Sequence, residues 1–178
     1  MEDVILNIGS ISLQQLPEMV FKFTGSKNSG DDLADYSFST ESMTEQARCA
    51  PYCVPTFYTT TEQINKSHKF VFNRGGLLHK EYIDKLNLTI HDECKYLPKQ
   101  IYLTYAVEIG DIGNMNRRLF EPMLDVIENK GYSTNGDIFG MFIARFKSDN
   151  KYHRYLQIVM PITSSEQAGL WAEPPINR

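Results

Sequence analysis

Residues 101–108 read Ile-Tyr-Leu-Thr-Tyr-Ala-Val-Glu. Ile101, Leu103, Tyr105 and Val107 alternate with Tyr102, Thr104, Ala106 and Glu108, the period of two that sends successive side chains to opposite faces of a strand. Downstream the period becomes helical. Met115, Leu119, Met123 and Ile127 fall four apart, flanked by Phe120, Leu124 and Val126, while Arg117, Arg118, Asp125 and Glu128 face away. Asn114 suits the start of such a helix and Gly131 its end. Pro122 does not suit its interior, where it removes a hydrogen bond and clashes with the preceding turn at a cost of about 3 kcal/mol. The helix is therefore expected to kink there or to begin late. Two further strands are expected at 137–146 and 152–162, joined by Lys147, Ser148, Asp149, Asn150 and Lys151, which is hairpin chemistry.

The first half of the chain reads as a fainter copy of this strand, helix, strand, strand unit. Met19, Phe21 and Phe23 alternate with Val20 and Lys22 across 18–24, and the Gly, Ser, Asn and Asp residues of 25–32 form a loop. A weak helix is expected over 37–50, carrying Phe38, Met43 and Ala47 and stopped by Pro51. Residues 54–61 and 69–73 read as a strand pair separated by the polar Glu62, Gln63, Asn65 and Lys66. Gly75 and Gly76 punctuate the chain, and 77–91 forms a mixed connection whose Leu77, Tyr82, Ile83 and Leu86 cover an apolar face. The expected class is α+β: two pseudo-symmetric β-α-β-β repeats forming an antiparallel sheet with two helices on one face. The domain is expected to span 19–162, with an N-terminal extension over 1–18 and a loose C-terminal tail over 163–178.

Composition narrows the function classes. The chain has 178 residues, with 18 Lys plus Arg against 22 Asp plus Glu, a net charge of −4 and a pI of about 5.6. That is one domain, and it lacks the clustered base that phosphate backbones require, so direct nucleic-acid binding is not expected. The start, Met-Glu-Asp-Val, carries acid where a secretory leader carries base, and no run approaches the roughly 20 apolar residues of a membrane helix. Cys49, Cys53 and Cys94 cannot all pair, and Cys49-x3-Cys53 has no second pair for zinc. A reduced, cytoplasmic protein without metal or cofactor is expected. The four histidines are scattered, and no G-x-S-x-G, Walker loop or H-E-x-x-H occurs, so no catalytic residue is assigned.

Ten Tyr, ten Phe and seven Met remain as core fillers or cavity walls. In 137–146, Phe139, Met141 and Ile143 share one strand face and Ile138, Phe142, Ala144 and Phe146 the other, so both faces require cover. Tyr and Met suit a ligand wall: aromatic faces attract a cation by roughly 0.5–2 kcal/mol each, and Met adapts to different outlines. Glu108, at a strand end, is the candidate carboxylate, although a solvated strand end is the simpler account.

Three ordered segments carry a family likeness: Lys95-Tyr96-Leu97-Pro98-Lys99-Gln100-Ile101-Tyr102, Ile127-Glu128-Asn129-Lys130-Gly131, and Arg154-Tyr155-Leu156-Gln157-Ile158-Val159-Met160-Pro161-Ile162. With Asp35-Tyr36-Ser37, Tyr52 and Thr56-Phe57 upstream, the set resembles the gyrase-inhibitor-like effector-binding domain, the ligand-binding module of multidrug-responsive MerR-type and AraC-type regulators. The resemblance spans about 19–162. It implies a hydrophobic cavity at the junction of the two repeats that takes lipophilic, often cationic, aromatic compounds. The implied ligand-binding residues are Tyr36, Tyr52 and Phe57 from the first repeat, Tyr105 and Val107 from the long strand, Phe139 and Met141 from the strand after the helix, and Tyr152 from the last hairpin; Glu108, read from its strand end, is added to them as the candidate carboxylate. Two departures matter. Cation-holding and hydrolytic members place a Glu where this chain has Gly140, which leaves charge complementarity to Glu108, Glu121 or aromatic faces and argues against hydrolysis. The regulators also carry a helix-turn-helix before the module, whereas some eighteen residues precede the likeness here. The expected protein is a stand-alone bacterial-type sensor or carrier of diverse hydrophobic aromatic compounds and lipophilic cations, linked to transcription regulation. A small-molecule hydrolase and a gyrase-binding inhibitor are the rival readings.

Overall fold

The computed structural model of the chain describes residues 7–28, 52–66, 70–90, 94–110, 115–134 and 136–163. Its strands are β1 (Ile11–Leu16), β2 (Met19–Asn28), β3 (Val54–Thr60), β4 (Val71–His79), β5 (Lys95–Leu97), β6 (Gln100–Ile109), β7 (Asp137–Ser148) and β8 (Lys151–Pro161). They pair antiparallel in one eight-stranded sheet of order β1-β6-β8-β7-β3-β4-β2-β5. Among the described residues three α-helices accompany it: α1 (Thr61–Lys66), α2 (Lys80–Lys85) and α3 (Glu121–Lys130). The α+β class and the single antiparallel sheet are as expected, but the described residues carry three helices where two were expected, because the polar stretch after β3 and the start of the 77–91 connection each form a short one. None of the described helices is long and apolar enough to cross a membrane.

Cross-strand register sorts the side chains onto two faces. One face carries Phe57, Phe72, Leu103, Ile138, Leu156 and Ile158, which pack in one cluster with Ile64 of α1 and Met123 and Ile127 of α3. Val20 and Leu78 oppose each other on the same face and pack with Ile83 of α2. The described helices thus lie on one side of the sheet. The other face buries Met19, Phe21, Leu77, Leu97, Tyr102, Phe139, Met141 and Val159 as a second cluster that contains no helical residue. Something other than a helix seals it.

The seal is the sheet itself. Only Pro17 and Glu18 separate β1 from β2, and only Pro98 and Lys99 separate β5 from β6. Each connection spans three Cα–Cα steps, at most about 11 Å. In a flat sheet of this order the strands so joined would lie six strand spacings apart, about 29 Å. The sheet must therefore curl until its two edges meet, enclosing the helix-free face. Leu97 of β5 and Tyr102 of β6 share the second cluster for this reason. Lys95 of β5 likewise reaches Asp137 of β7 at 2.6 Å, although four spacings separate their strands.

Several local expectations are corrected. Ile11–Leu16, read as part of an extension, is edge strand β1, paired with β6 from Ile11↔Tyr105 to Leu16↔Gln100. Gly75 and Gly76 do not break the chain; they lie inside β4, because a Cβ on Gly75 would stand 1.9 Å from the Lys22 carbonyl oxygen and one on Gly76 2.3 Å from Cys53 Sγ. The polar residues after β3 form the short helix α1. The late start wins over the kink at Pro122: α3 begins at Glu121 with Pro122 in its first turn, where a missing N–H costs nothing, and Arg117–Leu119 forms a separate 3₁₀ turn capped by Asn116. Asn114 lies outside the described residues. Gly131 ends the helix as expected, with φ 66° and its N–H on Glu128 O. The last hairpin turns on Asp149 and Asn150 alone, both with positive φ. A bulge between Phe142 and Ala144 sends Phe146 to the face opposite Phe142, against simple alternation. The helix expected over 37–50 and the tail after Thr163 lie outside the described residues.

Tyr102 holds the β5–β6 corner. It is 1% exposed, and its hydroxyl donates to Pro98 O at 2.8 Å. Burial pushes its phenol above the ordinary 10.0, against a smaller opposing hydrogen bond from Gln100. The folded protein thus keeps the phenol neutral where the unfolded chain ionises, so this stabilisation is complete below the ordinary phenol value and is lost as pH rises from there through the raised folded value. Tyr102→Phe is expected to unfold about 0.5–1.5 kcal/mol more easily at pH 7. Its stability should also fall less steeply than the parent's as pH rises above about 10, as read by urea denaturation; parallel falls would contradict this role.

Candidate functional site

The two halves of the sheet meet where β3 pairs with β7, opposing Phe57 to Gly140 and Tyr58 to Phe139. On the helix-bearing face, one row across the sheet reads Tyr105, Ile158, Gly140, Phe57. The adjacent row reads Val107, Leu156, Phe142. Phe57, Ile158 and Leu156 are fully buried, whereas Tyr105, Val107 and Phe142 are half-buried and pack against them as a rim. Phe57 meets Phe72 and Phe142 edge-on, at centroid distances of 5.9 and 6.4 Å. Its ring also explains Gly140: a Cβ there would lie 2.0 Å from Phe57 Cε1 and 2.1 Å from Cζ. An aromatic ring fills the place where a carboxylate side chain on this strand would project.

Tyr152 shares this face further out. The Arg145 guanidinium stands 4.3 Å from its ring centroid, and Lys147 and Arg154 each stand 5.5 Å away. Arg154 is itself buried, with Nη1 donating to Gly110 O at 2.8 Å. The ring of Tyr152 is therefore surrounded by the protein's own cations.

Phe139 and Met141 lie on the other face, inside the curl. Phe21, Tyr58 and Phe139 form an aromatic triangle there with centroids 5.1, 5.9 and 5.8 Å apart. Lys95 sits 4.5 Å over Tyr58. Burial, the largest single influence, pulls the Lys95 ammonium down, but the hydrogen bond to Asp137, the charge of that carboxylate and Tyr58 together hold it above the ordinary 10.5. Glu108 stands on the same face at the far end of β6, with Oε1 2.6 Å from His153 Nδ1. Burial and the Glu108 carboxylate together push the Tyr155 phenol above its ordinary value. Tyr52 stacks on Tyr82 at 4.5 Å near the start of β3, and Tyr36 lies outside the described residues.

The expected site residues are thus divided. Phe57, Tyr105 and Val107 come together at the junction; Tyr152 stands apart on their face; Glu108, Phe139 and Met141 lie behind the sheet; Tyr52 lies elsewhere. Phe142, on the junction rim, was not among the expected site residues, although its parity in β7 placed it opposite Phe139. A separate polar cleft of about 440 Å³, lined by Thr60, Thr61, Asn65 and Asp137 among others, contains no expected site residue.

Comparison with known proteins places the fold. No family model and no curated protein matches the chain. Among solved structures, the EcmrR C-terminal domain matches at a TM-score of 0.54 and 13% identity, covering 87% of this chain and 98% of that one. EcmrR in its complex with DNA matches at 0.52 and 13%, covering 87% of this chain and 57% of the EcmrR chain. SAV2435 bound to tetraphenylphosphonium matches at 0.45 and 11%, covering 90% and 98%.

Because the Phe57 ring occupies the space over Gly140, Gly140→Ala is expected to destabilise the protein by about 1–3 kcal/mol through overpacking. In a double-mutant cycle with Phe57→Leu, the pair should cost less than the sum of the singles. Strict additivity in chemical denaturation would contradict the contact.

Proposed function

We propose that this chain is an effector-binding domain that takes up hydrophobic aromatic small molecules, lipophilic cations among them, at the junction on the helix-bearing face. The observation that carries the reading is the rim of Tyr105, Val107 and Phe142 around the closed Phe57 floor. Half-buried aromatic and aliphatic side chains at the meeting of two sub-sheets offer flat, adaptable contact without a fixed hydrogen-bond pattern. The face behind the sheet suits this task less well, because the curl packs Phe139 and Met141 into a buried apolar cluster. Tyr36 is proposed as a further wall residue and Tyr52 as an outer one.

The strand order fits two three-strand units, β2-β3-β4 and β6-β7-β8. Read outward from the β3·β7 pairing, each half runs second strand, third strand, first strand, then a flanking strand. The likeness in fold to a domain of EcmrR, a protein also seen in complex with DNA, fits a sensing role in transcription regulation. With Gly140 in place of a carboxylate, a bound cation would be held by aromatic faces, each contributing roughly 0.5–2 kcal/mol.

Fluorescence titration with a rhodamine dye tests the reading. Binding in the micromolar range is expected, and Tyr105→Ala combined with Val107→Ala should weaken it about tenfold or more, the equivalent of about 1.4 kcal/mol. Unchanged affinity in a double variant with parental circular dichroism would overturn the site.

A further inference from the structure

Behind the sheet, at the end of β6 away from the β5–β6 corner, three chemistry-bearing side chains stand in line. Ser148 Oγ lies 3.0 Å from His153 Nε2, and His153 Nδ1 lies 2.6 Å from Glu108 Oε1. They come from three adjacent strands, β7, β8 and β6. The bulge in β7 is what brings them together, since it turns Phe146 and Ser148 to the face that Glu108 and His153 occupy. Phe146 opposes His153 and stacks on its ring at 4.8 Å and 16°, and it also stacks on Tyr155 at 5.7 Å. Tyr155 opposes Glu108 across β6 and β8, where burial and the carboxylate raise its phenol.

For a neutral His153 these contacts select one tautomer. An ionised carboxylate only accepts, so His153 carries its hydrogen on Nδ1 and donates it to Glu108. Nε2 is left with a lone pair directed at the Ser148 hydroxyl. Nucleophile, base and orienting carboxylate then stand in the relation that activates a serine. We infer that Ser148 is a nucleophile, with His153 as its base and Glu108 as the positioning residue, that accepts acyl groups from aryl esters. Phe146 is 47% exposed beside the pair and supplies the flat apolar surface that selects an aryl group.

In the first step Ser148 Oγ bonds to the ester carbonyl carbon while its proton passes to His153 Nε2. The bond from that carbon to the phenolic oxygen breaks, and the leaving oxygen takes the proton from His153 Nε2 and departs as the phenol, leaving His153 neutral. In the second step water attacks the acyl-serine and gives its proton to His153; the acyl–oxygen bond breaks, Ser148 regains a proton, and the carboxylic acid departs. This site is on the opposite side of the sheet from the proposed effector junction, and either can fail without the other.

The test is to incubate the full chain with p-nitrophenyl acetate and follow p-nitrophenolate release together with peptide mass mapping. Acetylation of Ser148 is expected, lost in Ser148→Ala and slowed about tenfold or more in His153→Gln. Glu108→Ala should slow it similarly, and Glu108→Asp should retain more of the rate. Acetyl groups found only on lysines, or an acylation rate unchanged in His153→Gln, would overturn the assignment.

Discussion

Two connections of two residues each govern this molecule. Pro17-Glu18 and Pro98-Lys99 join strands that the sheet order places near opposite edges, and neither can reach across a flat sheet. Curling is thus a matter of chain length before it is a matter of side-chain preference. Once the edges meet, Met19, Leu97 and Tyr102 close over Phe139 and Val159, and a face with no helical cover becomes a core. Apolar burial of this kind stabilises by roughly 25 cal/mol per Å² and holds the curl that the connections impose.

The curl also assigns work to the two faces. A strand such as β7, apolar on both sides, needs cover twice; the helix layer provides one cover and the rolled sheet the other. The enclosed side is consumed by packing, down to the Phe21–Tyr58–Phe139 triangle. The helix-bearing side retains half-buried Tyr105, Val107 and Phe142 at its centre. Gly140 shows how closely that centre is fitted, because its missing side chain is the volume that Phe57 fills. The end of the enclosed face beyond the curl stays polar and presents Ser148, His153 and Glu108.

Elements with a clean period were legible in the sequence: β6 from its alternation, α3 from its four-residue spacing, and the β7–β8 hairpin from its turn residues. Those that serve as edges or connections were not. Ser12, Gln14 and Gln15 give β1 the polarity of a loop because it lies at the sheet's edge, and β5 has three residues, too few for a period. Gly75 and Gly76 read as a turn, yet they are small because the β2 backbone, Phe21 and Cys53 crowd them. For the site, strand parity separated Phe139 from Phe142, but which face stays open depends on the curl, a property of strand order that no local pattern carries. The Ser148–His153–Glu108 line was hidden for a similar reason, since a single bulge reverses the facing of the end of β7.

Effector binding at the junction on the helix-bearing face is the proposal to be tested. A crystal structure of the chain soaked with a lipophilic aromatic cation tests it most directly. The ligand is expected in contact with Tyr105, Val107 and Phe142, with the Phe139 and Met141 cluster undisturbed; a ligand lodged inside the curl between Phe139 and Met141 would overturn the proposed site.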